Sequence, residues 1–307
     1  MGGAPAEPPR GAPPAARAPA GSGPAPIFHT PAPPRAARRE AAQAFFAAHR
    51  GGFATPARAL QFLDYVVTPV SGAWAFRPNG KTGTTSTLHF LFHLEFGLPL
   101  RALVQDLGGM NTDSAAAHRL AEARVFSMLG ARGDGRDPAE VLAGALRLTT
   151  IRHPLDRAVS SFLYLCRAQE LQSPLFADDR LRMGATTGFD WGAHPFTLTG
   201  FERFLDYVAA ELPHHDARPL DSHFRPQVLN VLPQVLRPDL LGRCEDLPAF
   251  FRQIAARLER PLPPDIDLTT PRNRQDVPGR DALETPATRA RVAAVYAADF
   301  DAFDYTP

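Results

Sequence analysis

Cysteine, net charge and long apolar runs are all scarce in this chain, and each shortage removes a class of function. The only two cysteines among 307 residues, Cys166 and Cys244, have neither zinc-site nor redox-motif spacing. Cys166 continues the apolar face of an expected helix, so a buried free thiol is its default role, and nothing suggests an oxidising compartment. A formal net charge of +1 excludes a general nucleic-acid binder, which needs a broad basic surface. The basic residues must therefore act locally. No run approaches the roughly eighteen apolar residues of a membrane span. The N-terminus also shows no apolar signal-peptide core, and the expectation is a cytoplasmic protein.

Pro, Ala, Gly and Arg dominate the first 38 residues. With almost no large apolar side chains, this stretch cannot bury enough surface to offset chain entropy, and a disordered, partly polyproline tail is expected. Residues 39–307 are expected to form one domain, and a hydrophobic content of 44% suffices for a core. Glu40–His49 reads as a helix ended by Gly51-Gly52. Tyr65–Pro69 and Trp74–Phe76 read as a hairpin.

That hairpin leads into the stretch the chain is organised around, Trp74-Ala-Phe-Arg-Pro-Asn-Gly-Lys-Thr-Gly-Thr-Thr-Ser86. An apolar run stops at the turn signal Pro78-Asn79-Gly80. Lys81, Gly83 and the hydroxyls of Thr82, Thr84, Thr85 and Ser86 follow, and then an apolar segment of helical length, Thr87 to Phe96. The pattern is strand, tight loop, helix. Such a loop aims backbone N–H groups, hydroxyls and one lysine at one spot, and the helix N-terminus adds about half a positive charge. A nucleotide-triphosphate loop is one reading, although Ala75 stands where its first glycine belongs and no later apolar run closes on a magnesium-binding Asp. A plain Thr-rich helix cap is another.

A second stretch bears on the choice. Leu146–Arg152 reads as a strand stopped by His153-Pro154. Leu155, Ala158, Val159, Phe162 and Leu163 then mark an amphipathic helix, with Arg157, Ser160 and Ser161 on its polar face. The loop Lys81-Thr-Gly-Thr-Thr-Ser86 resembles the 5′-phosphosulfate loop of sulfotransferases, usually Pro-Lys-x-Gly-(Thr/Ser)-(Thr/Ser), with Asn79-Gly80 inserted here between proline and lysine. Arg152-His-Pro-x-x-Arg157-x-x-Ser160 resembles that family's 3′-phosphate motif. Three later segments resemble its carbohydrate-sulfotransferase branch: His223-Phe-Arg-Pro-Gln227, with Phe224 where tryptophan is usual, Gly242-Arg-Cys-Glu245-Asp-Leu247, and Tyr296-Ala-Ala-Asp299-Phe300.

The resemblance implies a P-loop-like three-layer α/β sandwich, with a mainly parallel central sheet and helices on both faces. It implies a sulfotransferase that uses 3′-phosphoadenosine 5′-phosphosulfate (PAPS) as co-substrate, without a metal, and sulfates a hydroxyl acceptor that is a carbohydrate or glycolipid. Lys81 would stabilise the leaving oxygen. Thr82, Gly83, Thr84, Thr85 and Ser86 would hold the 5′-phosphate, and Arg152 and Ser160 the 3′-phosphate. His118 and His223 are the leading candidates for the general base, with His93, Glu95 and Asp221 behind them. Arg157 is either a supporting charge or a solvated one, and His153 a structural hydrogen-bonding residue. His89 and His93 have metal-ligand spacing, but Phe90 stands where a zinc helix carries glutamate, and no third ligand is evident. A P-loop kinase or NTPase, and a non-catalytic nucleotide- or glycan-binding module, are the alternatives.

Overall fold

Val67 and Thr68 can pair with Trp74–Arg77 because Gly72, at φ 72°, lets the chain reverse between them. This hairpin is the start of the sheet in a computed structural model of the chain, which describes residues 26–104, 110, 115–269 and 279–307. The strands are β1 (Val67–Thr68), β2 (Trp74–Arg77), β3 (Ser127–Met128), β4 (Leu146–Ile151) and β5 (Leu240–Arg243). Their order across the sheet is β3-β1-β2-β4-β5. β2, β4 and β5 run parallel, whereas β1 pairs antiparallel with both β2 and β3. The sheet is therefore mixed, with β1 the strand that runs against the other four. A short turn joins β1 to β2, whereas β3 reaches β1 from far along the chain, and the parallel neighbours need crossover connections.

Alternation along β2 separates two cores. Trp74 and Phe76 join Leu88 and Leu91 of the helix Thr84–Phe96 and Phe251 of the helix Leu247–Arg257. Ala75, between them, joins Phe45, Phe62 and Val141, from the helices Arg35–Ala48, Pro56–Leu63 and Pro138–Gly144. A third cluster packs Phe162 of the helix Pro154–Glu170 against Phe201, Phe204, Phe224 and Tyr296. Among the described residues, no helix is long and apolar enough to cross a membrane.

Several local expectations shift. The first helix begins at Arg35, not Glu40, so the expected tail boundary at residue 38 falls inside it, and Arg38 pairs with Asp64 at 2.6 Å. His29 lies earlier still and is buried, its backbone N–H donating to Arg124 O at 3.0 Å. Most of the expected tail lies outside the described residues, as do Asp113 and Ser114, either of which the sequence offers as the cap of a helix running from Ala115 to Leu129. The helix expected to run from Ala115 to Leu129 ends at Arg119. Arg124 adopts φ 60°, and Ser127 and Met128 leave the helix to pair with Thr68 and Val67. A tertiary partner thus overrides the helical pattern. The stretch after Gln169, without readable period, contains the helix Ala177–Thr187.

Candidate functional site

The loop between β2 and the helix Thr84–Phe96 is held by its own polar side chains. Asn79 O accepts from the hydroxyls of Thr82 at 2.7 Å and Thr84 at 2.8 Å. Asn79 Nδ2 donates to Thr150 O at 3.0 Å, and Asn79 Oδ1 accepts from Asn230 Nδ2 at 2.8 Å. Thr82 Oγ1 also lies 2.7 Å from Thr150 Oγ1. The fully buried Thr82 hydroxyl therefore shapes the loop rather than facing a ligand.

Two glycines are sterically required. A Cβ on Gly80 would come within 2.9 Å of His223 Cα and Ser222 O. At Gly83 (φ +85°) it would come within 2.6 Å of Leu247 Cδ1. The inserted Asn79-Gly80 is thus what lets the loop pack against the 221–227 segment. Lys81 itself adopts φ 65°, a left-handed conformation that non-glycine residues rarely hold without surrounding constraint.

Arg157 supplies much of that constraint. It is buried, and its guanidinium donates to Gly80 O (2.9 Å), Arg225 O (2.8 Å) and Ser222 O (2.8 Å). It is neither solvated nor aimed at a ligand. It ties the loop to the 221–227 segment, and charge-assisted bonds of this kind contribute about 1.5–3 kcal/mol each. Ser161 is buried beside it and donates to Arg157 O and His223 O at 2.7 and 2.6 Å. The polar face of the helix Pro154–Glu170 is therefore an internal seam.

The later segments complete the frame. Asp299 accepts from the N–H groups of Gln227 (2.8 Å) and Val228 (2.9 Å), and Tyr296 Oη donates to Phe224 O at 2.8 Å. Glu245 accepts from His153 N at 2.7 Å and from Tyr305 Oη at 3.0 Å. The His153 ring lies between Phe300 and Tyr305, away from the loop, as a structural role requires.

A cavity of about 1440 Å³ opens beyond the C-terminal ends of β2 and β4. Lys81, Gly83, Thr84, Thr85 and Ser86 line one side of it. Arg152, Ser160, His118 and His223 line it as well. Thr82 is the one expected ligand-binding residue that does not. Lys81 and Arg152 thus line one pocket, and Arg152 Nη1 donates to the Lys81 backbone carbonyl at 3.5 Å.

Burial, reinforced by Arg152, pulls the Lys81 amine down to about 7. Among the described residues no carboxylate pairs with it. A buried, uncompensated cation beside a guanidinium is the electrostatic counterpart of a polyanion.

His223 has a carboxylate behind it: Nδ1 lies 2.6 Å from Asp221 Oδ1, which also accepts from His223 N at 2.8 Å. Burial works to raise the Asp221 carboxyl, but these bonds hold it below the usual carboxylate range. With Nδ1 donating to the carboxylate, Nε2 is the nitrogen left to accept a proton. His93 Nε2 instead lies 3.1 Å from Asp265 Oδ1. Among the described residues, no group of three or more His, Cys, Asp or Glu could hold a metal ion. Glu95 is taken up by Trp74 Nε1 at 3.2 Å and Arg260 at 2.6 Å.

The sequence-family model described as "Sulfotransferase family" matches residues 110–306, well over half of the chain. The chain belongs to the sulfotransferase family. No curated protein and no solved structure matches it. The matched region of this sulfotransferase contains Arg152, Ser160 and His223 but begins after the Lys81 loop, so that loop's role rests on its geometry.

Sequence reasoning missed Tyr164, whose ring lies under Lys81 Nζ at 3.9 Å. It also gave no role to Asn79, Gln227 or Asn230. A signal for Tyr164 was present, because it stands one helical turn after Ser160. None exists for the amide network, which joins Asn79 to Gln227 and Asn230 across 148 and 151 residues.

Proposed function

We propose that this sulfotransferase transfers a sulfuryl group from PAPS to a carbohydrate hydroxyl, free or lipid-linked. The observation that carries the reading is the convergence of Lys81 and Arg152 on one cavity, with Arg152 Nη1 at 3.5 Å from Lys81 O. The cavity fits a nucleotide with an acceptor: its roughly 1440 Å³ exceeds the ~300–1,000 Å³ of common small-ligand pockets. The domain is read as a P-loop-like three-layer sandwich, supported by the separate cores met by alternate residues of β2. We take the catalytic unit to begin with the helix Arg35–Ala48.

When bound, the donor supplies a sulfuryl group on a phosphate leaving oxygen. Lys81 places its ammonium where charge develops on that oxygen, a positioning and electrostatic task. The N–H groups from Gly83 to Ser86, with the hydroxyls of Thr84, Thr85 and Ser86, hold the 5′-phosphate, and the helix N-terminus adds its partial charge. Arg152 and Ser160 take the 3′-phosphate, which distinguishes this donor from ATP. His223 Nε2 removes the acceptor proton. Asp221 fixes the ring tautomer and stabilises the imidazolium that forms. His223 is given this role because Asp221 stands 2.6 Å behind it. The carbohydrate acceptor rests on the resemblance of the three later segments to the carbohydrate branch.

The test is thermal stabilisation by 3′-phosphoadenosine 5′-phosphate. At a hundredfold excess over Kd, binding stabilises the fold by about 2.7 kcal/mol. The expected result is a raised Tm with this ligand and little change with AMP or ATP–magnesium. Stabilisation by ATP–magnesium alone would overturn the reading in favour of an NTPase.

A further inference from the structure

Lys81 is the only lysine in the 307 residues, and the face of an aromatic ring lies beneath its ammonium. Nζ stands 3.9 Å from the Tyr164 ring centroid, well inside the ~6 Å reach of cation–π attraction. The ring is a fixed platform. Tyr164 is 4% exposed, with Phe176 edge-on at 5.5 Å and His223 at 5.5 Å.

Among the described residues, Lys81 has few other attractors. The charges facing it from neighbouring elements are Arg152 and Arg157, with the Cys244 thiol beyond β5 and the Asp221–His223 pair across the Tyr164 ring. Burial and both guanidiniums oppose a proton on Nζ. A carboxylate here would keep the lysine charged, but it would compete with an anionic donor for the same ammonium. An aromatic face attracts the cation without bringing a negative charge into the pocket.

We propose that Tyr164 is a positioning residue for Lys81, its ring holding the ammonium charged and inside the cavity until an anionic donor draws it away. The placement on the ring stands by itself. The release rests on the donor reading of the preceding section.

A single lysine makes the test direct. Reductive methylation with ¹³C-formaldehyde gives one dimethyl-lysine resonance in the folded 307-residue chain, assigned by its loss in Lys81→Arg. The expected N-methyl signal lies upfield of a solvent-exposed dimethyl-lysine because of the ring current. Tyr164→Phe retains the upfield position. Tyr164→Leu loses it, and the amine then titrates roughly one pH unit lower, since the charged form has lost its aromatic partner. Adding 3′-phosphoadenosine 5′-phosphate moves the wild-type signal downfield.

A wild-type signal at the solvent-exposed position overturns the proposal. So does a Tyr164→Leu signal with unchanged position and titration. Should the leucine variant fail to fold, the wild-type and phenylalanine signals decide. If the nucleotide neither raises Tm nor moves the signal, the donor reading and the release fail, while an upfield signal still upholds the placement. If it raises Tm and the signal stays upfield, release fails and the donor reading stands.

Discussion

The Gln227 side chain grips the Arg152 peptide from both ends: Oε1 accepts from Arg152 N at 2.9 Å, and Nε2 donates to Arg152 O at 2.8 Å. The same Oε1 accepts from Asn79 Nδ2 at 3.2 Å. One buried amide therefore sets the anion loop and the end of β4 relative to each other. Gln227→Ala leaves buried peptide groups unpaired, at about 1–3 kcal/mol each. The expected outcome is a Tm lower by several degrees and affinity for 3′-phosphoadenosine 5′-phosphate at least tenfold weaker, read by calorimetric unfolding and titration. Unchanged affinity in a folded variant would show that this amide does not position the site.

Arg152 can be tested for what it recognises. Arg152→Ala is expected to weaken 3′-phosphoadenosine 5′-phosphate by about 1.5–3 kcal/mol, or roughly tenfold to over a hundredfold. AMP, which lacks the 3′-phosphate, should bind wild type and variant almost equally. Parallel losses for both ligands would remove the 3′-phosphate assignment.

Lys81 carries a pH signature. In the unfolded chain the amine keeps its proton to about pH 10. In the folded protein, burial beside Arg152 lowers it to about 7. Between these values the unfolded state binds the extra proton, so stability of the donor-free protein rises with pH; below about 7 both states are protonated and the full burial cost remains. Lys81→Met should flatten that rise. Urea unfolding of both proteins from pH 6.5 to 9.5 checks it, and equal slopes would refute the depressed amine. With donor present the same variant should lose turnover by roughly 10²–10³-fold, as removal of a charge-stabilising donor does elsewhere.

The two histidines separate by kinetics. His223→Ala is expected to lower turnover by about 10²–10⁴-fold, the range of general base catalysis, with little change in donor affinity. Asp221→Asn should reproduce much of that loss, because Nδ1 loses its carboxylate. His118→Ala should cost far less. A larger loss at His118 than at His223 would transfer the base role.

How far the sequence reaches is clearest residue by residue. The hairpin, the loop from Pro78 to Gly83 and the helix after it are local features, written in a turn signal, two glycines and an apolar run. That β4 is a strand followed from its β-branched pattern and the stop at His153-Pro154, but its parallel place beside β2 appears only in the structure. Ser127–Met128 did not follow, because the pairing with Thr68 and Val67 is decided by an edge about sixty residues away, which no local propensity encodes. Arg157 looked the same as a solvated arginine, since the three carbonyls that receive it come from Gly80, Ser222 and Arg225. Asp299 and Tyr296 stood out only through a resemblance to a family segment, and what they do shows in the structure, where their bonds brace Gln227, Val228 and Phe224.

By itself the sequence determined the chemistry on offer: one lysine on a glycine-bounded loop, one arginine closing a strand, and hydroxyls at a helix start. Those are set by spacings of a few residues, where backbone geometry leaves little choice. Only the tertiary structure decided that His223 has a carboxylate behind it, which arginine faces a cavity and which is buried in carbonyls, and that an aromatic ring lies beneath the ammonium. These depend on groups from β2, the helix Pro154–Glu170 and the 221–227 segment meeting at one point, and burial and charge take their values only after the chain has brought them together.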